Sequence, residues 1–351
     1  MTLDEDGWHS LLPELTDAEP DSARAGRVTP DQRDGAVYVI DDELRLAVDV
    51  ALAARRPLLL RGDPGSGKSS LAAFLARNLG WRYYEHVVTA RTRPRDLLWT
   101  FDAVRKLADA SARDSTGAGL RDHDYVDPGV LWWAFDPESA CRRGLPQDQG
   151  DPTVPAREPD AELNAARDRT RAVVLIDEVD KADPDLPNGL LVPLGSSEFR
   201  VEETGTLVRR RLRTTTDPRG SLLIVITTNE ERELPPAFLR RCVIRKLEAP
   251  RWGRMVEIGR RHLEVAGLPC GPQEEELLTS LAKKVESLQD PAPRPAARAP
   301  GAATPQRGPS TAEFLDAVYA CRALGVPVDG EVWERLQRLV LLKDAGGDSS
   351  A

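Results

Sequence analysis

The sequence predicts an α/β domain with a three-layer core around a parallel sheet, followed by a smaller all-α domain. Three observations carry this. The short apolar runs Pro57-Leu58-Leu59-Leu60, Ala172 to Ile176 and Leu222 to Ile226 have the pattern of strands buried on both faces of a parallel sheet. Segments of helical period alternate with these runs, the signature of a parallel α/β layout. Past Ala249-Pro250 only helical spacing remains.

Residues 1–34 are acidic, polar and without sustained periodicity, which predicts a flexible N-terminal arm. From Val37 to Ala54 the apolar residues Leu44, Val48, Ala51 and Leu52 recur at helical spacing, with Asp41 or Asp42 as the N-cap. The run at 57–60 is the first strand. Ser69 to Leu79 follows as a helix closed by Gly80. The mixed stretch from Trp81 to about Gly144 concentrates aromatic residues at Tyr125, Trp132, Trp133 and Phe135. An insertion is expected at about 141–170, where the Pro-, Asp- and Arg-rich part from 144 reads as a surface segment. Phe199-Arg200-Val201 and Thr206-Leu207-Val208 flank Glu203-Thr204-Gly205 and predict a hairpin.

The α/β domain is thus placed at 35–250 and the helical one at 251–345. A Pro/Ala/Arg linker at 289–309 interrupts the second domain, and residues 346–351 form a tail. Helices are expected at Thr311 to Leu324 and Glu331 to Leu342.

Bulk properties remove several classes of function. With 48 basic and 57 acidic residues the chain carries a net charge of −9, which argues against a chain-wide nucleic-acid surface. Arg209, Arg210, Arg211 and Arg213 form a local basic patch that reads as a solvated strand or loop. The four cysteines lie far apart without a CxxC pair, so neither a zinc site nor a disulfide framework is indicated. The acidic N-terminus lacks an apolar signal core, and the longest apolar runs are only strand-length. A cytoplasmic location without a membrane span is the expectation.

The chemistry lies in four short motifs. Gly62-Asp63-Pro64-Gly65-Ser66-Gly67-Lys68-Ser69 matches the phosphate-cradling P-loop in full, and Ser70 continues it into the helix. Glycines let backbone N–H groups turn toward phosphate, and the following helix adds the positive end of its dipole. Lys68 can reach the β- and γ-phosphates, and the Ser69 hydroxyl can ligate Mg²⁺. A chance match in a chain this long is on the order of one in a hundred from average composition. Val173-Val174-Leu175-Ile176-Asp177-Glu178 puts two carboxylates at the C-terminal end of a buried strand, where α/β sheets bind ligands. Asp177 is the candidate for holding Mg²⁺, and Glu178 for orienting and deprotonating water. The competing reading, a solvated acidic pair opening a helix, loses weight with the P-loop upstream. Thr227-Thr228-Asn229 ends the third strand, where the Asn229 amide can hydrogen-bond water or the γ-phosphate. Leu239-Arg240-Arg241 offers an arginine for the transferring phosphoryl group. On its own such a pair is usually a solvated helix end.

Strand, P-loop, helix, strand with Asp-Glu, strand with Asn, then arginine, in that order, resembles the AAA+ ATPases, and more narrowly their MoxR branch. The likeness includes Tyr38-Val39-Ile40-Asp41-Asp42-Glu43-Leu44, Arg56 to Gly62, Leu175 to Ala182, the hairpin near Phe199 and Leu234 to Arg241. It covers roughly Tyr38 to Pro250. By position the resemblance implies that Lys68 and Ser69 are Walker A, Asp177 and Glu178 Walker B, and Asn229 sensor 1. Arg241 is the better arginine-finger candidate over Arg240. Arg307 is the nearest position to a sensor 2 arginine, against the simpler reading of a linker arginine.

The resemblance further implies ATP and Mg²⁺ as cofactors, and a homo-oligomeric ring, commonly a hexamer. Such rings remodel or activate a protein client, often one with a von Willebrand A domain. Two alternatives stay open: a slow nucleotide-dependent switch or scaffold, and a nucleic-acid-acting machine that could use GTP.

Overall fold

The computed structural model describes residue 8 and residues 10–18, 35–112, 120–210, 221–289 and 308–342. Arg307, Arg211, Arg213, the tail and most of the Pro-rich linker lie outside these. The chain forms two compact units. One holds the described residues within 1–15, 40–61 and 69–246, the other those within 16–39, 62–68 and 247–351. The chain thus passes from one to the other after Lys246, close to the expected boundary, but the P-loop turn groups with the helical unit.

In chain order the α/β unit contains α1 (Asp42–Ala54), β1 (Leu58–Arg61), α2 (Lys68–Leu79), β2 (Trp81–Val87), β3 (Trp99–Phe101), α3 (Ala103–Ala112) and β4 (Val126–Pro128). After these come α4 (Val130–Phe135), α5 (Pro137–Cys141), α6 (Ala161–Asn164), β5 (Asp168–Asp177), α7 (Asp185–Gly189) and α8 (Leu191–Ser196). It ends with β6 (Glu198–Arg200), β7 (Leu207–Arg209), β8 (Leu222–Thr228), α9 (Pro236–Leu239) and β9 (Val243–Lys246). Five strands form one parallel sheet in the order β2-β5-β8-β1-β9. The three apolar runs are its centre: β1, β8 and the second half of β5 are buried almost without interruption. Strands covered on both faces have no polar face to alternate, which is why they read as continuous apolar runs.

Register sets the chemistry of the sheet's C-terminal edge. Ile176 of β5 lies beside Ile226 of β8, and Leu60 of β1 beside Thr227. β8 therefore lies between the strand that ends in the carboxylates and the strand that leads into the P-loop. The Asp41 cap is as expected, its carboxylate accepting from Leu44 N at 2.7 Å. The hairpin also forms, with Phe199 opposite Val208. Phe199 stacks on Trp99 with ring centroids 5.7 Å apart and meets the edge of Trp132, so the aromatic residues of the mixed stretch become the core beneath it.

Two expectations are corrected. The 144–170 stretch is not merely a surface insertion, because Asn164 is fully buried. Its amide oxygen accepts from Tyr83 N and its nitrogen donates to Tyr83 O, at 2.9 and 3.1 Å. An edge strand exposes unpaired backbone groups, and this side chain satisfies them on β2. Beside it Glu158 accepts from Arg82 and from the Tyr84 hydroxyl, and burial pushes the Tyr84 hydroxyl's pKa up. Nor is the described part of the N-terminal arm free. Asp49 of α1 is 5% exposed and accepts from Trp8 Nε1, Ser10 Oγ, Leu11 N and Leu12 N at 2.8–3.2 Å. A buried carboxylate needs such donors, and the arm supplies them.

The helical unit holds α10 (Trp252–Val265), α11 (Pro272–Gln289), α12 (Thr311–Leu324) and α13 (Gly330–Gln337), the last running on into a π-helical turn to Leu342. Met255, Leu263, Leu278, Leu281, Phe314 and Val318 lie in its core. Helix α12 opens with a capping box, in which Ser310 N donates to Glu313 Oε2 at 2.6 Å.

Candidate nucleotide site

Within the helical unit the P-loop turn is shaped by its glycines. Gly62 has φ +136°, and a Cβ there would come within 2.1 Å of the Leu247 carbonyl oxygen. Gly65 has φ +78°, and its Cβ would meet Ser310 at 2.1 Å. Any side chain at either position would be strained and would collide. Ser66 Oγ donates to Asp63 O at 2.8 Å. Lys68 is buried, and its Nζ donates to the carbonyl oxygens of Gly62 and Asp63, both at 2.7 Å. Pro64 and Gly67 complete the turn.

In the α/β unit, Ser69 opens the other half of the motif. Its hydroxyl donates to Asp177 Oδ1 at 2.6 Å, so the first turn of α2 and the end of β5 meet across the sheet edge. Asp177 is buried, and its Oδ1 also accepts from the Thr227 hydroxyl at 2.6 Å. Thr227 in turn accepts from Glu178 N at 2.8 Å. Glu178 takes left-handed backbone, φ +60°. Its Oε1 accepts from Asn229 Nδ2 at 3.2 Å, and its Oε2 pairs with Lys181 Nζ at 2.6 Å. That hydrogen bond is the main reason the Lys181 ammonium is held above the ordinary lysine range. Asp180, also buried, accepts from Asn229 N and Glu231 N. The loops after β5 and β8 are thereby fastened to each other. The arrangement offers a hydroxyl and a carboxylate at one point, and a carboxylate beside a neutral amide at the next.

Residues 57–242, more than half of the chain, match the family described as AAA domain (dynein-related subfamily). The chain belongs to this family. It carries an AAA ATPase domain on a parallel-sheet core with a helical C-terminal region. Among curated relatives, Holliday junction branch migration complex subunit RuvB 2 of Synechococcus sp. (strain JA-3-3Ab) is 36% identical over 87 residues, 23% of each chain. Subunit RuvB 1 of the same organism is 34% identical over 87 residues, 23% of this chain and 22% of its own. The chain thus matches less than a quarter of the length of these relatives. Among solved structures, a point mutant of Thermotoga maritima RuvB gives a TM-score of 0.46 at 12% identity, over 88% of this chain and 73% of that one. An ATPase from Cytophaga hutchinsonii gives 0.35 at 16% identity, over 64% and 48%.

Two site candidates of the AAA domain lie apart from this cluster. Arg240 and Arg241 both lie just beyond α9, and both are exposed. Arg241 donates to Ala237 O at 3.0 Å, and the Arg240 carbonyl accepts from Arg56. Ser70 sits in the first turn of α2. Sequence reasoning gave no role to Thr227, Asp180 or Lys181. Their signal was spacing: Thr227 precedes Asn229 by two, and Asp180 and Lys181 follow the carboxylate pair within one turn.

Proposed function

We propose that this chain hydrolyses Mg-ATP as a ring-forming AAA+ motor of the MoxR type, and spends the cycle on remodelling or activating a protein partner. The observation that carries the reading is the Ser69–Asp177 hydrogen bond at 2.6 Å, with Asn229 on Glu178 beside it. In this reading residues 62–68 and Ser70 hold the phosphates, with Lys68 on the terminal ones. Ser69 and Asp177 hold Mg²⁺. The donor set suits that ion, because Mg²⁺ is usually bound by one or two carboxylates together with phosphate and water. Among the described residues, no three His, Cys, Asp or Glu side chains form an all-protein cage. Bound there, the ion would neutralise charge on the phosphates.

Glu178 takes the proton of the attacking water, and Asn229 fixes the carboxylate and water without adding charge. Arg241, with Arg240 as the lesser candidate, reaches the phosphoryl group of the next copy in the ring. The net charge of −9 favours a protein client over nucleic acid, and a von Willebrand A domain is the client class the MoxR likeness suggests. The test is ATP turnover and mass photometry of the purified chain. Parent-level turnover in Glu178→Gln would end the assignment of the base.

A second reading has its own support. The relatives matched over 87 residues are named as branch-migration subunits, which favours a DNA-acting motor. Turnover with and without a four-way DNA junction separates the two, since stimulation by DNA would displace the protein-client reading.

A further inference from the structure

Glu178 begins a single 3₁₀ turn, Val179–Lys181, from a left-handed backbone conformation. That turn carries the chain back on itself, so Lys181, three residues on, lies over the carboxylate with Nζ 2.6 Å from Oε2. The other oxygen is taken by Asn229 Nδ2 at 3.2 Å. Both oxygens of the proposed base therefore carry protein donors. The two donors are unlike. Asn229 is neutral and sits on a loop held by the buried Asp180, whereas Lys181 brings a full positive charge on a flexible stem.

An ammonium bonded to one carboxylate oxygen holds the side chain toward the turn, so that oxygen cannot face a water while the pair is made. The pair is partly open to water, with side-chain exposures of 41% for Lys181 and 26% for Glu178. Ion pairs of this exposure are weak enough to break and re-form readily. A deeply buried pair would lock the carboxylate; this one can let go. Glu231 and Asp177 are the other carboxylates acting on the ammonium, so release does not strand the charge.

We propose that Lys181 is a positioning residue that restrains Glu178, so that water activation follows release of the Lys181–Glu178 ion pair. The inference rests on the reading of Glu178 as the base. Its test is steady-state ATP hydrolysis by the full chain carrying Lys181→Met, Lys181→Gln or Lys181→Arg, with Glu178→Gln alongside. Both neutral variants should raise kcat about two- to five-fold, the factor that loss of a weak exposed pair gives, while KM for ATP stays at the parent value. Lys181→Arg should return kcat to the parent level. Unchanged or lower kcat in both neutral variants overturns the restraint, as does a shift in KM that accounts for the gain, or an arginine variant that behaves like the neutral ones. If Glu178→Gln is inactive while the neutral variants match the parent, only the restraint falls. If Glu178→Gln turns over normally, the base assignment falls with it.

Discussion

Asp177, Glu178 and Asn229 on one side, and Arg240 and Arg241 on the other, stand in opposite environments. The first three lie at the ends of two neighbouring central strands, and each hydrogen-bonds within the same unit. The two arginines lie beyond a four-residue helix, where Arg241 donates to the Ala237 carbonyl and the Arg240 carbonyl accepts from Arg56. A cluster that satisfies itself is finished by one chain. A pair of surface cations is finished, if at all, by something outside it. This contrast underlies the proposal that the catalytic unit is two neighbouring copies.

The largest effect should come from the surface side. Arg241→Ala should lower kcat by about 10³-fold or more, the range for a finger arginine. Mixing it with Lys68→Ala chains should restore turnover, because each supplies what the other lacks. Lost activity with no recovery in intact mixed oligomers would remove the contrast. On the interior side, Glu178→Gln should cost about 10³-fold, within the range for a general base, while fluorescent-nucleotide titration shows retained binding. Asn229→Ala should lower kcat by about 10²-fold, the cost of one positioned donor, with KM little changed.

Away from the site the order reverses. Asn164→Ala should destabilise the α/β unit by about 1–3 kcal/mol, since it leaves buried backbone groups unpaired; thermal denaturation measures it. The surface pair Arg260–Glu275, at 2.7 Å in the helical unit, should matter least. Hydrogen bonding from Arg260 lowers the pKa of the Glu275 carboxyl below its ordinary value. A depressed acid stabilises above its unfolded pKa and loses that contribution as pH falls through the folded one. For a pair this exposed, Glu275→Gln should cost only about a few tenths of a kcal/mol at pH 7. At pH below the folded-state pKa, where the carboxyl is protonated in both states, it should cost nothing. A larger loss in melting temperature at pH 7 would show that exposure is a poor guide in this molecule.

Much of the fold could be read in advance, because the central strands are buried on both faces and so carry an unbroken apolar signal. The hairpin and α12, found at Thr311–Leu324 as expected, had equally local signals in glycine and capping residues. The candidate site was legible where chemistry depends on short spacing, as in residues 62–69 and the pair at 177–178. What escaped was set by register. Only the alignment of β5 with β8 brings Thr227 to Asp177, and no local pattern announces which strands will be neighbours. Asn164 and Asp49 escaped for a related reason. Each is a polar residue whose burial is licensed by backbone donors and acceptors distant in sequence, and a Pro-rich or acidic context hides that.

The clamp on β2 also closes part of an exposed sheet edge. Tyr83 has its outward amide and carbonyl both occupied by one side chain, and the Trp81 carbonyl accepts from Arg167. A foreign strand would find neither the amide nor the carbonyl of Tyr83 open for pairing. At that point β2 offers side chains rather than open backbone, and the edge is blunted where it would otherwise invite strand addition.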